Sequence, residues 1–483
     1  MGKWHSLSLF DVVVGVVVGS PLSFSLPLSL SLFGGKKGRI NIPIHINISL
    51  ERKREGERER VEDVSSYFFI CWFLLNMFRF TSALALRYCG IARCAALQIP
   101  TPVTLLSESE KMLLDSVRQF TDRVLKPRAR RMDEAGVMEE EVIKELFEAG
   151  LMSIEIPAEH GGGDMSFFSS ILAIEEISRV DPSVSVLVDV HNTLVNNIFL
   201  RFANREQNAK FLPDLASSCV GCFCLTEAES GSDAFALRAR AEKKGDRWVI
   251  NGSKIFITNG GYADIFLVMA NVDPSKGYKG ITCFVVDKRK SSGIHVGRPL
   301  DKLGLRASST VELNFENCEV PEENVIGEVG KGYQIAIATL NEGRIGIGAQ
   351  MVGIAQGAMD IVMPYLFQRK QFNTPVGDFQ ALQMQYAQCA TNIYAARLLV
   401  YNAARKKLMG ESFVKEAAMA KLFSSQVAEQ TASKAIEWAG GIGFTRDFGL
   451  ERLYRDAKIG AIYEGTSVIQ LQTIAKLIKK EYN

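Results

Sequence analysis

A carboxylate, a cation and one hydroxyl-rich loop are the residues in this chain best suited to chemistry. Glu464 lies in IYEGTS (462–467), a break between two helical runs. A carboxylate there can accept a proton if it is shielded from water, and is simply solvated if it is not. Arg344, in LNEGRIG, sits on a helical pattern and could face either a ligand or solvent. LTEAESGSD over 225–233 offers hydroxyls, backbone amides and glycine, suited to hydrogen bonding a polar ring system or a phosphate. Other chemistries lack their residues. The sequence contains no H-E-x-x-H and no G-x-x-x-x-G-K-[ST]. Cys219 and Cys222 form a C-x-x-C with no second pair and no nearby His, an incomplete zinc set. His191 and His295 stand apart from other candidate ligands, so structural roles are expected and no metal site is. Gly346, Gly348 and Gly353 match part of a dinucleotide fingerprint, but inside a helical pattern, where small residues permit close helix packing.

Composition narrows the setting. The 483 residues suggest two or three domains. A hydrophobic content of 47% supports a large core without the apolar excess of a polytopic membrane protein. A formal charge of +2, with both signs mixed, gives no basic face for nucleic acid. Nine dispersed cysteines favour a reducing compartment. Residues 1–76 include SPLSFSLPLSLSLF and ERKREGERER, low-complexity sequence unable to build a specific core, so translation is expected to start at Met77. The stretch 77–103 carries Arg79, Arg87 and Arg93 with no acid before Glu108, the composition of a mitochondrial presequence. The apolar run 67–78 has 12 residues, short of the roughly 20 a spanning helix needs, so no membrane anchor is expected.

The elements that must position these residues are legible from periodicity. Ser107 and Glu110 form an S-x-x-E capping box, followed by Leu113, Val117, Phe120 and Val124 on one helical face. EVIKELFEAG ends at Gly150, a helix stop. Helical patterns run on to about 215. Arg247–Ile250 and Lys254–Ile257 flank Asn251-Gly252, read as a hairpin. IFLVMANV, ITCFVVD and TVELNFENCEV follow as short strands. From 331 the helical period returns, with Leu382, Tyr386, Cys389, Ile393, Ala396 and Val400 on one stripe. The fold class is therefore multidomain α plus β: an N-terminal helical domain over 104–221, a middle antiparallel β barrel or sandwich over 222–330, and a C-terminal helical bundle over 331–483.

Eight motifs occur in order: PAEHGGG (157–163), LTEAESGSD, KIFITNGG (254–261), GLRASST (304–310), NEGR (341–344), RKQFNTPVGDFQ (369–380), EWAGGIGFTRDF (437–448) and RDAKIGAIYEGTS (455–467). With these motifs in this order, the chain from about 105 to 483 resembles the acyl-CoA dehydrogenase family. Within it, ANVDPSKGYKGIT and LNEGRIGIGAQM are most similar to the branch acting on short, branched acyl chains.

The resemblance implies FAD as cofactor and an acyl-CoA as substrate. Flavin contacts map onto Phe223, Cys224, Leu225, Thr226, Gly231, Ser232, Phe256, Ile257 and Thr258, and further ones onto Thr466, Ser467 and Val468. Arg369, Gln380, Glu437, Trp438, Ala439, Gly440 and Gly441 match positions that grip the pyrophosphate and adenosine, partly from a neighbouring subunit. A homotetramer is the implied assembly. Thioester and CoA contacts map onto Ser232, Tyr278, Tyr333, Asn341, Glu342, Gly343 and Arg344. Glu464 matches the catalytic base. In the isovaleryl branch the base sits at the position of Gly343 instead, where this chain has no side chain. Phe256 stands where Trp is usual, keeping an aromatic face without the indole donor. Electrons are expected to pass to electron-transfer flavoprotein, in the mitochondrial matrix. The rival readings are a straight-chain dehydrogenase, an acyl-CoA oxidase and a non-catalytic acyl-CoA-binding paralogue.

Overall fold

The structure, a computed structural model, describes residues 102–483 throughout and, of the remainder, the backbone of two strands. These are β1 (Ser23–Phe33) and β2 (Arg39–Ser49), paired antiparallel with Ser23 opposite Ser49. They belong to a separate unit, Met1–Ile99. The expected start at Met77 and nearly all of the expected presequence lie outside the described residues.

The second unit, Pro100–Asn483, is helical to Ser217, forms a sheet over 220–326, and is helical again from Gly332. The capping box forms as the sequence predicts: Ser107 Oγ accepts from Glu110 N–H, and the Glu110 carboxylate accepts from Ser107 N–H. The Glu110 carboxylate also takes both Nη groups of Arg405, at 2.7 and 2.9 Å, tying the first helix to the C-terminal bundle.

The sheet comprises β3 (Val220–Cys224), β4 (Arg240–Lys244), β5 (Arg247–Thr258), β6 (Ala263–Asn271), β7 (Ile281–Asp287), β8 (Ile294–Val296), β9 (Thr310–Pro321) and β10 (Val325–Ile326). Its order is β10-β7-β6-β4-β5-β9-β8, with β3 also on β6. Most pairings are antiparallel as expected, but β3 runs parallel to β6. The hairpin expected at Asn251-Gly252 does not form. β5 runs unbroken from Arg247 to Thr258, and the turn lies earlier, at Gly245-Asp246, with Lys244 opposite Arg247. Gly252 instead marks a bulge where a Cβ would come within 2.7 Å of the Ala239 Cα. The Asn-Gly signal thus marks a close backbone approach rather than a reversal.

The centre of the bundle is the helix Gly332–Gln368. Among the described residues it has the length and apolar composition of a membrane span, yet most of it is buried inside the protein. Its glycines are seats for neighbouring elements, as the sequence suggests. A Cβ at Gly353 would lie 2.3 Å from the Glu175 carbonyl oxygen, and one at Gly357 2.2 Å from that of Arg179. Cys219 and Cys222 point into different cores, and the Cys219 sulfur accepts from Arg289.

His191 is fully buried. Its Nε2 donates to the Leu215 carbonyl at 3.0 Å, and its Nδ1 accepts from Gly221 N–H at 3.0 Å. Burial pushes its pKa down to about 4. The unfolded chain therefore binds a proton on this group at a pH where the native state does not. This residue's contribution is present above about 6.5 and is lost as pH falls through that value towards about 4, amounting to about 3 kcal/mol. Thermal unfolding should occur at lower temperature on acidification. His191→Gln should flatten that dependence, and an unchanged acid dependence in the variant refutes the assignment.

Candidate active site

Glu464 occupies a turn that few non-glycine residues adopt. Its φ is 52°, and Gly465 follows at 87°, so two successive residues are left-handed. The turn is held by its carbonyls. Gln470 Nε2 donates to Glu464 O (3.1 Å) and Gly465 O (2.8 Å), and Lys421 Nζ donates to Gly465 O at 2.6 Å. Directly afterwards Thr466 caps the helix Ser467–Tyr482, its Oγ1 accepting from Ile469 N–H. Gly465 is required because a Cβ would sit 2.8 Å from Gln470 Nε2 on a backbone already at positive φ.

The residue is half-buried, but Oε2 of its carboxylate is buried and has no hydrogen-bond partner among the described residues. It lies against Gly343: a Cβ there would be 3.0 Å from Oε2 and 2.9 Å from Leu194 Cδ2. Burial pushes the Glu464 pKa up to about 7, against the opposing pull of Lys421 and Arg344. Asp189 faces the same space, its carboxyl pushed well above the usual range by burial and accepting from Thr193 Oγ1. Tyr463, whose hydroxyl donates to Gln350 Oε1, is likewise held neutral by burial. Val186, Val190, Leu194 and Leu305 form an apolar cluster on which Phe223 and Tyr463 also pack.

Of the NEGR residues, Gly343 and Arg344 lie at this carboxylate, Asn341 is joined to it through Arg344, and Glu342 does not reach it. Gly343 gives it room. Arg344 donates from Nη1 to Asn341 Oδ1 at 2.8 Å, and its buried Nε has no partner among the described residues. Glu342 turns the other way: its fully buried carboxylate pairs with Arg201 and with Lys407 (3.1 Å), so its side chain is committed to packing rather than to this space. Tyr278 and Tyr333 meet edge to face, ring centroids 4.9 Å apart. Tyr333 lines a cavity of about 340 Å³ together with Lys276, Lys279 and Lys331. Tyr333 and Arg344 share a face of the long helix about 16 Å apart, so a ligand touching both must be elongated. Ser232 is exposed.

The residues expected at the flavin fall into groups. β5 bulges between Lys254 and Ile257, and at the bulge Phe256 has φ 59° and is 60% exposed. A strained backbone that holds an aromatic ring out of the core fits the planar ring of FAD, which such a ring can stack on. Thr226 and Thr258 are half-buried beside it, and Ile255 N–H donates to Thr226 O. Cys224, Leu225 and Ile257 bury their side chains, which leaves backbone atoms as their possible contribution. Gly231 is exposed, Ser467 is half-buried and Val468 is exposed. Arg369, Gln380, Glu437, Gly440 and Gly441 are exposed on the bundle, while Trp438 and Ala439 are buried there. No side-chain hydrogen bond or ion pair among the described residues links this last group to Glu464.

Four residues that hold the site carry no functional signature of their own in the sequence. Lys254, fully buried, donates to Leu225 O (3.0 Å) and to Glu227 (2.7 Å), pinning LTEAESGSD onto β5. Glu227 also accepts from Arg238 N–H and Ala239 N–H. Lys421 and Gln470 are the others. The available signal was a lysine standing where the strand or helix pattern calls for an apolar residue.

The three segments match, in order, the N-terminal (residues 107–218), middle (222–318) and C-terminal (330–479) domains of acyl-CoA dehydrogenase. The chain is 51% identical over 381 residues to the short/branched chain specific acyl-CoA dehydrogenase, mitochondrial, of Rattus norvegicus, covering 79% of this chain and 88% of that one. The butyryl-CoA dehydrogenase structure from Megasphaera elsdenii superposes with a TM-score of 0.76 at 38% identity, covering 78% of this chain and 99% of the other. A glutaryl-CoA dehydrogenase from Mycobacterium smegmatis in complex with FADH2 gives 0.73 at 29% identity, over 78% and 95% of the two chains. Likeness that runs in sequence through every segment, at this identity and coverage, leaves one assignment: the chain belongs to the acyl-CoA dehydrogenase family.

Proposed function

We propose that this FAD-dependent oxidoreductase dehydrogenates short, branched acyl-CoA thioesters across Cα and Cβ, with Glu464 as the base. The observation that carries the reading is the Glu464 carboxylate, with one oxygen buried and unpartnered against Gly343. A solvated carboxylate is too weak a base for a proton α to a thioester. Burial that lifts its pKa to about 7 moves it towards the strength the step needs. Bound FAD supplies the acceptor for the hydride that leaves the β-carbon. Glu464 takes the α-proton and ends the step protonated. Asn341, Gly343 and Arg344 border the reacting carbons, and hydroxyls and amides of 225–233 hold the ring system.

Pocket depth supports a short acyl group. One helical turn beyond Gly343, a Cβ at Gly346 would lie 2.0 Å from Asp189 Oδ1, so the gap between the two helices closes there. The cluster beside it is small and apolar, which suits a branched rather than an extended chain. The rat relative is named for short and branched chains and as mitochondrial. With the acid-free stretch carrying Arg79, Arg87 and Arg93, that supports the mitochondrial matrix as the location, a role in branched-chain amino acid (isoleucine) and fatty acid catabolism, and electron-transfer flavoprotein as the partner. Phe372 and Phe444, 92% and 84% exposed, support burial of this part of the bundle in a homotetramer.

A panel of acyl-CoA thioesters tests the reading, with flavin bleaching under anaerobic conditions as the readout. The rate should peak at 2-methylbutyryl- or isobutyryl-CoA, and each methylene that the Asp189 floor excludes should cost roughly tenfold or more. A maximum at isovaleryl-CoA or at long straight chains refutes the substrate assignment. Faster turnover with oxygen than with electron-transfer flavoprotein refutes the partner.

A further inference from the structure

We propose that Lys421 is a positioning residue for the base: its amine, seated on the Gly465 carbonyl, fixes the turn that aims Glu464 and, when protonated, sets a positive charge beside that carboxylate. The inference rests on the reading of Glu464 given above. Lys421 is 0% exposed, in the middle of the helix Val414–Ala439, on the stripe it shares with Ala417, Ser424 and Ala428. Its ammonium has one hydrogen-bond partner among the described residues, the Gly465 carbonyl at 2.6 Å, and forms no ion pair there. A buried lysine without a paired carboxylate is poorly suited to packing, which a methionine of similar volume would do better.

The Gly465 carbonyl belongs to the turn where Glu464 and Gly465 are both left-handed. Such a turn persists only when its surroundings over-determine it. Lys421 supplies one donor, from a different helix, and Gln470 supplies the other contacts from the helix that follows. Four titratable or charged groups face Glu464: Asp189 from the helix Pro182–Asp189, Arg344 from the long helix, Lys421 from its own helix and Tyr463 from the same turn. Burial disfavours charge on Asp189 and Tyr463. Burial also draws Lys421 down to about 7, against the opposing pull of Glu464, so lysine and carboxylate hold their charges as a pair. Protonated Lys421 and Arg344 are therefore what keeps the carboxylate ionisable, and Lys421 has the larger influence of the two.

Lys421→Met and Lys421→Gln in the holoenzyme test this, with flavin absorbance certifying the fold. Gln can still donate to the Gly465 carbonyl, so it carries the test if the Met variant does not retain FAD. In both, the ascending limb of kcat against pH should move up by about one unit. That corresponds to about tenfold lower kcat below the limb, recovered at high pH, with KM changed less than about twofold. Gln470→Met, which removes donors but no charge, should lower kcat without moving the limb. A purely structural lysine predicts an unmoved limb. An unmoved limb in flavin-loaded Lys421→Gln overturns the inference. If Glu464→Gln is nonetheless inactive, the base assignment stands and only the role of Lys421 falls.

Discussion

Replacing Glu464 with Gln leaves a folded, yellow protein whose turnover is lower by about 10²–10⁴-fold. The amide fills the same volume and leaves both backbone carbonyls of the turn on Gln470 and Lys421, so the geometry survives. What disappears is the only carboxylate of the cluster placed against Gly343, and with it the acceptor for the α-proton. Asp189 cannot substitute, because burial holds it protonated and Thr193 occupies one of its oxygens. The wild-type profile supplies the sign. The base works ionised, so kcat/KM should rise as pH increases through about 7 and level off above it. Linkage gives the matching stability effect. A carboxyl whose folded pKa is raised stabilises the native state below its unfolded pKa, and that contribution is lost as pH rises through about 7. Glu464→Gln should therefore unfold at a higher temperature than wild type at alkaline pH. Stopped-flow flavin reduction together with thermal unfolding checks both; near-normal reduction rates would falsify the role of the base.

What sequence could reveal about this site follows from what each signal measures. Periodicity reports burial, so the helical stripe ending at Val400 and the glycine seats of the long helix were readable. The capping box at Ser107 is a local hydrogen-bond pattern and was equally readable. Asn251-Gly252 misled because glycine answers two needs, a tight reversal and a close backbone approach, and only the partner strand tells them apart. Here Ala239 on the neighbouring segment decides it. The eight motifs located Glu464, Arg344 and Asn341, but a motif does not say which way a side chain turns. Glu342 lies between two site residues and faces Arg201 and Lys407, because neighbours on a helix differ by about 100°. Lys421 and Gln470 act on backbone carbonyls far away in sequence, a kind of contact that no local pattern encodes. A lysine on an otherwise small and apolar stripe was the one visible hint.

Gly343 carries the second large effect, and it should scale with side-chain size. A helix normally gains from Gly→Ala, by about 1 kcal/mol. At this position the added Cβ meets Leu194 Cδ2 at 2.9 Å and Glu464 Oε2 at 3.0 Å. Both contacts are with side-chain atoms, so Ala can be accommodated by shifts of a few tenths of an ångström, and Gly343→Ala should lose only a few-fold in kcat. Valine adds two γ-carbons in the direction of the carboxylate and of Leu194. Its overpacking should cost about 1–3 kcal/mol of stability. The catalytic cost is larger, because the carboxylate must swing from the place the α-carbon will occupy, and a displacement of about 1 Å at a reacting centre costs roughly 10²-fold. Gly343→Val should therefore keep FAD and bind acyl-CoA while turnover falls by about that factor. Flavin bleaching by substrate reads the chemical step, and the spectral shift on adding enoyl-CoA product reads binding. If the valine variant bleaches at the wild-type rate, the carboxylate is not working from the position it holds against this glycine.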